Sequence, residues 1–115
     1  MVDKIMVKEF EAERPGIIIE ELNSLARKGW ELTKILVLPP ILSKIGLPSG
    51  AYRILHYFKE TGNTTIQYAI FECVPETFQT INDCLQAALE GGWNLFDVAL
   101  IPANPYPKVY HYFTK

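Results

Sequence analysis

The chain is poor in cysteine, nearly balanced in charge and without a long apolar run, and each shortage removes a class of protein. Its two cysteines, Cys73 and Cys84, follow no metal-ligand spacing and are too few for the framework of a small secreted domain. A reducing cytoplasm is the expected compartment. A formal net charge of -2 supplies no broad electropositive field of the kind that draws nucleic acid or anionic membrane. No stretch approaches the roughly 20 apolar residues of a spanning helix, and Met1 to Phe10 alternates charged and apolar residues instead of placing an apolar core behind a basic start. Neither export nor membrane insertion is expected. Gly91-Gly92 follows a helical segment instead of preceding one, so no glycine loop is set to cradle phosphate. Glu20, Glu21, Asp83 and Glu90 fall on expected solvated helix faces without forming a paired acid and base. No catalytic residue, cofactor or metal site is assigned, and the reading is non-enzymatic.

What the chain does contain is a repeat. Gly29-Trp30-Glu31-Leu32 returns as Gly92-Trp93-Asn94-Leu95, and His56-Tyr57-Phe58 returns as His111-Tyr112-Phe113. Ile18, Leu22 and Pro39 meet Ile81, Leu85 and Pro102 at the same offset as Trp30 and Trp93, an agreement that chance composition rarely produces. With 115 residues and 49% hydrophobic content, one domain over 1–115 can bury a core without staples. It divides into pseudo-symmetric repeats at about 1–60 and 64–115.

Each repeat reads as strand, helix, strand, strand. Ile5 to Phe10 alternates as a half-covered strand, with Ile5, Val7 and Glu9 opposite Met6, Lys8 and Phe10. A helix begins near Pro15, where a missing amide donor costs nothing, and buries Ile18, Leu22 and Leu25. Gly29 ends it, because only glycine takes the left-handed closing conformation without steric penalty. Glu31 to Leu38 and Tyr52 to Lys59 are branched and aromatic strands on either side of Pro39 to Ala51. The second copy runs Thr65 to Val74, a helix with Phe78, Ile81, Leu85 and Ala88 on its buried stripe, then Trp93 to Ile101 and Lys108 to Thr114.

The expected fold class is therefore α+β, a six-stranded, largely antiparallel sheet with two helices on one face. In each unit the third strand inserts between the first two as a split βαβ, and the units join through their first strands. Leu36, Leu38, Leu55 and Tyr57 alternate with Ile35, Val37, Ile54 and Phe58, and helices can cover only one of these sets. The other needs a cover, so a homo-oligomer is expected.

The Gly-Trp-Glu-Leu at 29–32, after an amphipathic helix and before a branched strand and an aromatic strand ending in Lys59, resembles short uncharacterised bacterial domains of unknown function that carry one such unit. Two copies here cover nearly all of the chain. The second departs from the motif at Asn94, and its loop is eight residues shorter, since the offset of 63 between Trp30 and Trp93 falls to 55 between His56 and His111. The resemblance implies an α+β sandwich and no activity.

Several residues are candidates for binding. Ile41, Leu42, Ile45 and Leu47 put apolar side chains in the first long loop, where either their own sheet edge or a partner must cover them. Trp30 and Trp93 stand where helix passes to strand, positions suited to filling the gap between layers and also to stacking on a ligand. His56 and His111 are matched, so a two-fold could bring them together, although two histidines do not make a zinc site. A cleft near that pseudo-dyad, lined by both pairs, is the small-ligand alternative to a self-associating interaction module. Tyr57, Tyr110 and Tyr112 could stack single-stranded bases with Arg53, Lys59 and Lys108 nearby, and the acidic balance argues against nucleic acid.

Overall fold

Of the 115 residues, the computed structural model describes 4–42, 48–49, 51–73, 78–103 and 107–115. The first repeat contributes β1 (Ile5–Glu11), α1 (Pro15–Arg27), β2 (Trp30–Leu38), a short ladder of β3 (Ile41–Leu42) with β4 (Pro48–Ser49), and β5 (Arg53–Glu60). The second contributes β6 (Tyr68–Cys73), α2 (Phe78–Glu90), β7 (Asn94–Ile101) and β8 (Lys108–Thr114). The α+β class and the inserted third strand hold in both repeats, with antiparallel orders β1-β5-β2 and β6-β8-β7. The six long strands, however, form two three-stranded sheets instead of one continuous sheet. Contact between the edges is made by β2 and β7, not by the first strands.

The duplication is visible in the backbone. Register slips between Leu32 and Lys34 in β2 and between Leu95 and Asp97 in β7, at matching places in the two repeats. An extra residue there coils a sheet more strongly. At the first bulge the Thr33 hydroxyl donates to the Tyr57 carbonyl, and at the second the Asp97 carboxylate accepts from the Val98 amide.

Both helices end as the glycines require. Gly29 has φ 89° and Gly92 φ 85°, with Gly29 N–H donating to the Ala26 carbonyl and Trp93 N–H to the Ala88 carbonyl. Gly29 carries a second constraint: its carbonyl accepts from the Thr61 and Gly62 amides, and a Cβ there would lie 3.1 Å from the Gly62 backbone. The link between repeats is therefore folded onto the end of α1. It continues as a loop through residues 63–65 because the Asn63 side chain takes the Thr65 amide and hydroxyl, competing with strand pairing. This is why β6 starts at Tyr68 and not at Thr65.

One buried cluster spans both repeats. The face of the first sheet that carries Ile54, Phe58, Leu32 and Ile35 meets α1 through Ile18, Leu22 and Leu25, and meets the second sheet through Tyr68, Ile70, Tyr110 and Tyr112. The opposite face of the second sheet is a separate layer: Val109, His111 and Phe113 are buried outside that cluster, and α2 lies against β6 and β7. The layers thus run first sheet, then α1 with the second sheet, then α2. No helix among the described residues is long and apolar enough to cross a membrane.

Candidate functional site

The two repeats meet through unlike faces. Strand alternation puts Leu32, Ile35, Val37, Ile54, His56 and Phe58 on one side of the first sheet, and their counterparts Leu95, Val98, Leu100, Val109, His111 and Phe113 on the α2 side of the second. The second sheet packs on the first with its other face. No two-fold relates the repeats across this interface, so the pseudo-dyad expected from the duplication is not what joins them.

Three tyrosines of the second sheet pin it to the first, one to each strand. Tyr68 hydroxyl accepts from the Leu32 amide at 2.9 Å, and Tyr110 hydroxyl donates to the Ala12 carbonyl at the end of β1. Tyr112 hydroxyl lies 2.8 Å from Nε2 of His56 on β5. The tautomer follows from the other ring nitrogen, which is 3.1 Å from the Ile54 carbonyl. A carbonyl only accepts, so Nδ1 carries the hydrogen and Nε2 takes the tyrosine proton as acceptor. Burial holds the His56 pKa down at about 4 despite the Ile54 carbonyl, which raises it. Burial likewise pushes Tyr110 up to about 12, and Tyr68 and Tyr112 upward, so all three hydroxyls stay protonated. The three bonds tie each strand of the first sheet to the second.

The matched histidines do not meet. His56 faces the core between the sheets, with Phe10 edge-on at 5.2 Å, whereas His111 lies on the far side of the second sheet beside Phe113. His111 is buried, which lowers its pKa, and its Nδ1 has no hydrogen-bond partner among the described residues. Trp30 is half-buried against the core. Trp93 is half-buried at the far end of α2, with the Lys115 ammonium 5.2 Å from its ring centroid and bonded to the Gly91 carbonyl. A cleft of about 250 Å³ lies between the repeats, lined by Glu13, Tyr52, Pro102 and Lys108 among others. Neither tryptophan and neither histidine lines it. Among the described residues no cluster of three or more His, Cys, Asp or Glu could hold a metal ion.

Tyr110 and Tyr112 are fully buried and so offer no platform for bases, which removes two of the three rings that a single-stranded nucleic acid would need. Tyr57 remains on the outer side of the first sheet. Ile41 and Leu42 pair with Ser49 and Pro48 through the backbone, and Ile45 and Leu47 lie outside the described residues.

The outer face of the first sheet is the most conspicuous surface. Ile5, Val7 and Leu36 are 71%, 47% and 43% exposed, and Leu38, Leu55 and Tyr57 are only partly covered. Leu36, Leu38, Leu55 and Tyr57 form one of the two alternation sets of the first sheet, and it is this set that α1 leaves uncovered. Missed from the sequence was Asn23 on α1, whose amide donates to the Tyr68 carbonyl at 3.1 Å and whose oxygen accepts from the Tyr68 amide at 2.8 Å. It occupies the free edge of β6 as a neighbouring strand would.

The fold is thus an α+β protein of two stacked split-βαβ repeats. No family model matches the chain, and comparison with curated proteins and with solved structures gives no match.

Proposed function

We propose that the chain is a non-enzymatic interaction module that associates with itself through the outer face of its first sheet. The observation that carries this reading is an apolar band running diagonally across the three strands of that face, from Ile5 and Val7 on β1 through Tyr57 and Leu55 on β5 to Leu36 and Leu38 on β2, flanked by Lys34, Lys59 and the Glu9–Arg53 ion pair. Scattered exposed apolar side chains are ordinary, but a contiguous apolar band rimmed by charge marks an interface. The Pro39 to Ala51 segment joins β2 to β5 at one end of the same sheet and is the second part of the proposed association surface.

A matched pair of substitutions tests it. Val7 on the outer face and Ile17 on α1 are equally exposed, at 47% each, so an aspartate costs the monomer little at either place. Val7→Asp lowers the mass seen by light scattering and Ile17→Asp leaves it unchanged. Equal behaviour of the two would remove the outer face as the association surface.

A further inference from the structure

The two apolar surfaces left bare by the internal packing are the counterparts of the two that it buries. Tyr68, Ile70, Ala99, Ile101, Tyr110 and Tyr112, all buried on the first sheet, correspond in the first repeat to Ile5, Val7, Leu36, Leu38, Leu55 and Tyr57 on the outer face. Leu32 and Ile35, buried beneath the second sheet, correspond in the second repeat to Leu95 and Val98, which are 48% and 45% exposed. Val37 corresponds to Leu100, 57% exposed. Each repeat presents one face that stacks on a helix-bearing sheet and one helix-bearing sheet that receives such a face. Within a single chain only one of the two possible contacts is made.

We propose that a second copy of the chain makes the other: the outer face of the first sheet of one copy seats on the α2 side of the second sheet of the next, around Leu95, Val98 and Leu100. This rests on the self-association reading above and names the surface that the outer face binds. The contact is a continuation of the interface already present inside the chain. The tie between Tyr112 and Nε2 of His56 at the centre of the internal interface is not repeated, because His111, the counterpart of His56, is already buried within one chain and the nitrogen it leaves without a partner among the described residues is Nδ1. The other two tyrosine ties are not repeated either, because Tyr68 and Tyr110 are matched by Ile5 and Leu55. The contact between chains is accordingly weaker than the one within, and it depends on concentration. Joining unlike faces, it builds a ring or an open row of copies instead of a two-fold pair.

Complementary variants test the geometry. Leu36→Glu disables the outer face and Leu100→Glu the α2 side; both positions are exposed, and thermal unfolding confirms that each variant folds. By light scattering, each alone has the mass of one chain at a concentration where the parent associates, and an equimolar mixture gives two-chain complexes from the one intact pair of faces. Val7→Glu with Val98→Glu repeats the experiment should either first variant fail to fold. If Leu100→Glu keeps the parent's mass while Leu36→Glu loses it, two outer faces meet each other; head-to-tail packing is then overturned while self-association stands. If the parent has the mass of one chain throughout, both readings fall. A mixture that stays at one chain also overturns the head-to-tail contact.

Discussion

Tyr112, in the middle of the second sheet, gives its hydroxyl proton to Nε2 of His56, in the middle of the first, at 2.8 Å. This bond joins the central strands of the two repeats and fixes a neutral histidine inside an apolar core. Removing the hydroxyl with Tyr112→Phe leaves a buried acceptor without its donor, which costs about 1–3 kcal/mol, measured by urea unfolding at pH 7.5. A loss near zero would show that water replaces the hydroxyl.

The same histidine makes stability depend on pH. Its folded pKa, about 4, lies below the ordinary histidine value of 6.5, so between these values the unfolded chain binds more protons than the native one. His56 therefore contributes full stability above about pH 6.5, and that contribution falls as pH drops toward 4. From pH 7.5 to 5 the loss is about 2 kcal/mol. His111 is shifted the same way and adds to it. In His56→Gln the decline over that range is smaller than in the parent; parallel curves would show that His56 does not titrate on unfolding.

Leu32 and Leu95 test the unlike packing of like repeats. Leu32 is 2% exposed, so Leu32→Ala opens a cavity and costs about 2–5 kcal/mol. Leu95→Ala, at the matching position but uncovered in the single chain, costs about 0.5 kcal/mol or less under dilute conditions. Comparable losses would mean that the two sheets are covered alike.

Gly29 and Gly92 close their helices with nearly equal positive φ, so alanine at either meets the same left-handed penalty of about 1–2 kcal/mol. Only at Gly29 would the new Cβ press on backbone, 3.1 Å from Gly62; at Gly92 its nearest neighbour is the flexible end of Lys115, 3.7 Å away. Gly29→Ala consequently lowers the melting temperature more than Gly92→Ala.

Much of this fold is readable from local pattern. Ile18, Leu22 and Leu25 mark the buried side of α1, and the alternation of Leu36 and Tyr57 with Ile35 and Phe58 separates the two faces of the first sheet without showing which of them the helix covers, since both are apolar. The stacking of the sheets was less accessible, because the two inter-sheet interfaces that alternation allows look equally apolar. One signal distinguishes them: tyrosines at 68 and 110 stand where the first repeat has Ile5 and Leu55, and buried hydroxyls need partners. Asn23 gave no sign, since its partner Tyr68 lies 45 residues away in the chain and an asparagine on a helix otherwise reads as solvated. The matched histidines misled for a related reason. Equivalent residues share an environment only where equivalent faces meet, and here they do not.

Light scattering of the unmodified chain over a wide concentration range reads self-association without any substitution. Association through the outer face gives a mass above the 13.1 kDa of one chain that rises with concentration as outer faces find their partners. A mass of 13.1 kDa at every concentration would contradict it.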